Sequence, residues 1–267
     1  MSLGAGYRLA VGTFTRVPSG DVTTDPDTAR SALLLAPLAV LPLALLATII
    51  GAAVEVGVPP FVAAGLVLVA LAHGTRAMHL DGLADTIDGL GVGWDRQRAL
   101  AVMRAGDLGP MGAAALVLTL LLQAAAIAAL LSAGWRGALV VGALVIASRA
   151  SCARLCTTGT PAAAGSSLGR VFVGAVPAPS AWILQLLVVV VVLVAVTPLA
   201  SALALFSAGP ALRLVLVSVL AVLLSTQGAV ALRNKAIRTF GGVNGDVLGA
   251  GVEVALTVSL VMMTVAW

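Results

Sequence analysis

AWILQLLVVVVVLVAVTPLASALALF, residues 181–206, carries no charged side chain. A helix rises about 1.5 Å per residue, so about 20 apolar residues cross a hydrocarbon core about 30 Å thick. This stretch is long enough to span a bilayer, and it is not alone. Comparable charge-free runs occur at 31–50, 56–72, 111–133, 214–232 and 254–267. The 267-residue chain is 60% hydrophobic and only 10% charged, with a mean hydropathy of +1.12. An ordinary soluble domain is about 25% charged, so soluble architectures are excluded. Backbone amides in lipid must be satisfied internally, and the runs lack the alternating pattern of a membrane barrel, which leaves helices. The expected fold is all-α: a polytopic integral membrane helix bundle of about seven transmembrane helices, at 31–50, 57–78, 111–133, 136–156, 181–206, 212–232 and 247–266, forming a single membrane-embedded catalytic domain over 1–267. The fourth span works only if Arg136 lies at one interface and Arg149 points into the bundle or snorkels to the other.

The charges orient this bundle. With the N-terminus in the cytoplasm, 13 of the 15 Lys and Arg residues fall on the cytoplasmic side, and only Arg136 and Arg213 fall opposite. That is the positive-inside bias, and it puts the C-terminus outside. Nine of the 11 carboxylates lie in the same cytoplasmic segments, with Glu55 outside and Glu253 in the last span, so chemistry is expected at the cytoplasmic face. The basic residues are scattered and aromatics make up 4%, which gives no nucleic-acid patch. No long apolar region precedes Ser31, so no cleaved signal peptide is expected. Cys152 and Cys156, four residues apart, read as small apolar fillers. Residues 4–17 read as an amphipathic helix on the inner surface, and 157–180 as a Gly-, Pro- and Ser-rich loop with a short re-entrant or interfacial piece at 170–177. Helix faces rich in Ala and Gly can pack within or between subunits, which leaves a homo-oligomer possible.

Against this apolar background, HLDGLADTIDGLG at 79–91 gathers Asp81, Asp85 and Asp88. Spaced i, i+4 and i+7, they share one helix face. Three converging carboxylates call for a cation, and hard oxygen ligands favour magnesium, manganese or calcium over zinc. Gly82 and Gly89 each follow an aspartate and admit close approach by another chain or a phosphate. His79 could orient a carboxylate, act as a base, or cap. Asp107, in MRAGDLGPMGA at 103–113, is either the cap of the next helix or a fourth carboxylate. Arg149 and Arg154 are candidates for phosphate oxygens, as are Lys235 and Arg238 in KAIRTFGGVNGDVLGA at 235–250. In that same stretch Asn244 and Asp246 could complete a metal or phosphate site, or simply cap the last span. Glu253, two turns further in, is expected to face the bundle interior.

These stretches carry a resemblance. HLDGLADTIDGLG, together with FTRVP at 14–18, MRAGDLGPMG at 103–112, ASRA at 147–150 and FGGVNGDVLGA at 240–250, resembles the cobalamin synthase family, the adenosylcobinamide-GDP ribazoletransferases, in order along essentially the whole chain. Many members read closer to DSRIG where this chain has AGDLG, which loosens any assignment to Asp107. The resemblance implies a magnesium-dependent enzyme of the bacterial or archaeal cytoplasmic membrane. Its partners would be adenosylcobinamide-GDP and alpha-ribazole or alpha-ribazole 5′-phosphate, with membrane lipid around it. It also implies that Asp81, Asp85 and Asp88 form the metal-binding and catalytic group, and that Asp107, Asn244 and Asp246 are possible participants; for the proton transfer, Asp88 is the candidate general base. Two alternatives predict different patterns. A CDP-alcohol phosphotransferase should carry a DGxxAR core with further spaced aspartates, whereas this chain reads DGLAD. A cation-coupled transporter should place ionisable groups near midspan in several helices, flanked by paired discontinuous segments.

Overall fold

The computed structural model describes residues 3–93, 95–205 and 208–266. Among these the chain forms twelve α-helices: α1 (Leu3–Phe14), α2 (Pro26–Ala39), α3 (Leu41–Ala52), α4 (Pro60–Gly74), α5 (Met78–Gly91), α6 (Arg96–Ala105), α7 (Pro110–Leu131), α8 (Trp135–Leu155), α9 (Ser167–Phe172), α10 (Ala178–Ala204), α11 (Ala208–Phe240) and α12 (Gly245–Thr264). Six segments are long and apolar enough to cross a membrane: Pro26–Val56, which joins α2, α3 and a 3₁₀ turn, then α7, α8, most of α10 (Ala178–Ala202), α11 and α12. The α4–α5 pair qualifies only when taken together, which brings the number to seven, and it is bent by 87°. Phe206 and Trp267, at the ends of two expected apolar runs, lie outside the described residues.

Local chemistry sets where these elements begin and break. Pro26 opens α2, and Asp25 caps it, accepting from the amides of Asp27 and Thr28 at 3.1 and 3.0 Å and from the Thr28 hydroxyl at 2.6 Å. These bonds, that of the Thr28 hydroxyl foremost, lower the Asp25 pKa to about 2. The first span therefore starts five residues before the expected 31. The bend after α4 is made by Arg76 and Ala77, both left-handed at φ 56° without being glycine. Surrounding bonds hold that strained turn: the Ala77 amide donates to the Ala72 carbonyl at 2.7 Å, the Arg16 amide to Gly74 at 2.8 Å, and the Arg76 guanidinium to Gly12 at 3.0 Å. Here α1, the expected amphipathic helix, fastens to the end of α4.

Helix α8 is the central post. It touches α2, α3, α7, α10, α11 and α12, and its residues from Gly137 to Leu155 are nearly all buried. Its small side chains (Gly, Ala, Ser, Cys) let neighbouring backbones close in. By contrast α10 turns large apolar groups outward, with Leu186 61% and Val194 66% exposed, as a lipid-facing helix does. At one end of the bundle lie the N-termini of α7 and α12 and the C-termini of α4, α8 and α11. The region expected as a loop at 157–180 folds over that end. It is pinned by the Ala163 amide to the Val243 carbonyl and the Val243 amide to Pro161, both at 2.9 Å, and it contains the short helix α9, which overlaps the start of the piece expected at 170–177.

Candidate active site

Helix α5 turns 87° away from α4 and runs across the starts of α12 and α7. Two close approaches seat it. A Cβ at Gly82 would lie 2.6 Å from the Asp246 carbonyl oxygen, and one at Gly249 would lie 3.1 Å from the His79 Cα and the Met78 carbonyl oxygen. Glycine at these positions lets the two backbones meet, which sets Asp81 and Asp85 of α5 beside Asp246 of α12. Asp81 is exposed, Asp85 half-buried and Asp88 buried. The Asp85 pKa is pushed up to about 6, first by burial and then by the charges of Asp81, Asp246 and Asp88. Asn244 caps α12 by accepting from the Val247 amide at 3.0 Å, and its side-chain amide donates to Asp246 Oδ2 at 2.8 Å, which fixes the orientation of that carboxylate.

Asp88 has a different setting. Its Oδ2 accepts from the Gly109 amide at 2.8 Å and its Oδ1 from the Gly112 amide at 2.9 Å. It thus caps the start of α7 from a neighbouring helix, where free amides and the helix dipole favour a negative charge. Any side chain at Gly109 or Gly112 would collide with it, because a Cβ there would lie 2.4 or 2.2 Å from a carboxylate oxygen. The MRAGDLGPMG stretch is therefore a cradle for Asp88. Asp107 lies exposed in the turn, and α7 receives no cap from its own flanking side chain.

Two cavities flank Asp246. One, of about 270 Å³, lies between α6, residues 163–168 and the start of α12, and is lined by Arg104, Ser166, Ser167, Asn244 and Asp246 among others. The second, of about 210 Å³, lies between α1, α2, α5, α9 and α12 and contains Phe14, His79, Asp81, Phe172 and Asp246. His79 is 5% exposed, and burial, reinforced by the charge of Arg149, drives its pKa down to about 3, so the ring is neutral.

The basic candidates lie apart from both cavities. Arg149, 1% exposed, donates to the Val145 carbonyl and the Ser148 hydroxyl, and shares with Gln123 and Glu253 a cavity of about 10 Å³, room for about one water. Glu253 faces the interior as expected and accepts from Gln123 at 2.8 Å. Arg154 stacks on Trp182 at 3.8 Å from the ring centroid. Lys235 and Arg238 are exposed on α11, which continues as helix to Phe240 instead of ending near 232. The cation that does line the polar cavity is Arg104. In the sequence its only signal is its place in the last turn of a short helix before a Gly-rich turn.

Among the described residues no three His, Cys, Asp or Glu side chains close around a common point. Magnesium seldom needs that: it is held by one or two carboxylates together with substrate phosphates and water. Asp81, Asp85 and Asp246 are hard oxygen donors that raise one another's proton affinity, and Asp246 lines the polar cavity, so one or two of them fit such an ion.

The family description Cobalamin-5-phosphate synthase matches residues 6–264. An adenosylcobinamide-GDP ribazoletransferase of a Nocardioides species is 41% identical over 95% of this chain and 96% of its own length. Proteins of the same name from Frankia casuarinae and Bradyrhizobium diazoefficiens are 36% and 35% identical, covering 91% and 92% of this chain and 88% of their own lengths in both cases. No solved structure matches the chain.

Proposed function

We propose that this chain, which belongs to the cobalamin-5-phosphate synthase family, is an adenosylcobinamide-GDP ribazoletransferase of vitamin B12 assembly that works at the α5–α12 contact. The observation that carries the site is the seating of Gly82 on Asp246, which brings Asp81 and Asp85 of α5 to Asp246, a carboxylate on the wall of the polar cavity that also holds Arg104.

In this reading the ribose 3′-hydroxyl oxygen of alpha-ribazole, or of its 5′-phosphate, bonds to the phosphorus attached to the corrinoid side chain. The bond from that phosphorus to the bridging oxygen breaks, GMP leaves with the electron pair, and the hydroxyl proton passes to a carboxylate or to water. One or two of Asp81, Asp85 and Asp246 would hold magnesium, with substrate phosphate and water completing its shell, and the ion would supply charge neutralisation at the pyrophosphate. Arg104 reaches the same cavity and would hold the departing phosphate, its planar donors matching phosphate oxygens. Asn244 keeps one Asp246 oxygen directed. Asp88, with both oxygens engaged by amides, supports the arrangement by fixing α7 against α5. We place this end of the bundle in the cytoplasm, on the side of 13 of the 15 basic residues, where a nucleotide substrate is available.

The test is product formation. Purified protein in nanodiscs, given adenosylcobinamide-GDP and alpha-ribazole, should yield GMP and adenosylcobalamin in equal amounts with magnesium and neither without it. Well-folded protein that yields neither in the presence of magnesium would overturn the proposal.

A further inference from the structure

The two cavities meeting at Asp246 differ in chemistry. The larger is polar, with Arg104, Ser166 and Asn244 on its walls. The smaller is walled mainly by apolar groups, among them Phe14, Leu33, Phe172 and Leu248; the polar side chains lining it are Thr13, His79, Asp81 and Asp246. His79 is almost fully buried, its Nδ1 has no hydrogen-bond partner among the described residues, and its ring lies 6.2 Å from that of Phe14. A buried imidazole without a partner among aromatic and aliphatic walls is costly unless something completes it.

Size and polarity select the occupant. A phosphate would be stripped of water against phenylalanine and leucine, which is unfavourable. A corrinoid macrocycle is far too broad for a cavity of about 210 Å³. A flat, uncharged heteroaromatic ring with one free ring nitrogen fits both the walls and the open imidazole.

We propose that the apolar cavity is the acceptor subsite: it takes the heteroaromatic base of the incoming nucleoside, so that the attached ribose emerges at Asp81 and Asp246 and faces donor pyrophosphate held in the polar cavity beyond. This rests on the ribazoletransferase reading and adds where the acceptor base sits and the direction from which it approaches. A benzimidazole, apolar at its edge and carrying one unsubstituted ring nitrogen, matches the lining. A purine with exocyclic amino or carbonyl groups would bury them against phenylalanine and leucine without partners, and should bind about tenfold more weakly or worse.

The experiment uses the full-length protein in nanodiscs, with alpha-ribazole and GMP as separate titrants and acceptor-dependent GMP release as the turnover readout. Thr13→Trp, from a half-buried position at the end of α1, fills the cavity. It should weaken alpha-ribazole binding and raise the acceptor KM by about tenfold or more, while GMP affinity stays within about twofold. His79→Phe keeps the ring and removes its nitrogens; it should weaken alpha-ribazole by about threefold to tenfold and narrow the preference for benzimidazole over purine nucleosides. Thermal unfolding confirms that each variant is folded; if Thr13→Trp does not fold, His79→Phe decides. Wild-type turnover with unchanged acceptor binding in the folded variants overturns the subsite alone, as does displacement of alpha-ribazole from this cavity by GMP. Absence of wild-type turnover overturns the underlying reading and the subsite with it.

Discussion

Replacing Asp88 by alanine separates structure from chemistry within the aspartate-rich motif. The side chain is 7% exposed and makes two charge-assisted bonds, at 2.8 and 2.9 Å, to amides at the start of α7. Each bond to a charged group contributes about 1.5–3 kcal/mol net, and losing a helix cap costs about 0.5–2 kcal/mol. The two bonds share one carboxylate, and water can reach part of the vacated turn, so the full sum does not apply. A loss of about 3 kcal/mol is expected for Asp88→Ala, and about half that for Asp88→Asn, which keeps one acceptor oxygen. Equilibrium unfolding in mixed micelles reads this directly, and turnover is measured on the folded fraction. Asp88→Asn should unfold more easily yet keep a substantial part of its specific activity, whereas Asp85→Asn should lose turnover without losing stability. An Asp88→Asn protein of wild-type stability with no turnover would refute the capping argument and return Asp88 to the chemistry as a base or metal ligand.

Other outcomes follow from the same geometry. Arg104→Ala should raise the KM for adenosylcobinamide-GDP by about tenfold and leave the acceptor KM nearly unchanged, as a lost phosphate contact does. Ala77→Gly relieves a left-handed residue in the α4–α5 bend and should stabilise the protein by about 1 kcal/mol in thermal unfolding; destabilisation would mean that the bend is not held as described. Asp85 titrates near 6 in the fold, above its unfolded value, so without a cation the folded state binds the extra proton and stability falls as pH rises from about 4 through about 6. A bound divalent cation reverses that penalty. The magnesium-induced rise in Tm should therefore be large at pH 8 and fade below pH 6; a pH-independent rise would place the ion elsewhere.

Much of this was legible in the sequence, for physical reasons. Charge-free length predicts spans directly, because the bilayer admits few alternatives, and α7 and α10 lie close to the expected boundaries; α8 and α12 do so as well, with Arg149 and Glu253 turned into the bundle. The i, i+4, i+7 spacing put Asp81, Asp85 and Asp88 on one helix, but spacing cannot say which partner that face meets. Asp88 meets the N-terminus of α7 across 21 residues of chain, and glycines 109 and 112 make room for it. Asp246 joins the group through a glycine contact between helices far apart in sequence, which periodicity does not encode. The cost of a charge in hydrocarbon singles out arginines that end up buried, such as Arg149. It does not find Arg104, whose surface position carries no such cost and whose relevance comes only from the fold over 163–168.

The most direct test of the α5–α12 site is acceptor-dependent GMP release by Asp246→Asn beside wild type, at saturating magnesium and both substrates, in nanodiscs. If the two helices share one cation and one pyrophosphate, Asp246→Asn should be folded, bind alpha-ribazole, and turn over at least about a hundredfold more slowly than wild type. Turnover within a few fold of wild type would contradict the site.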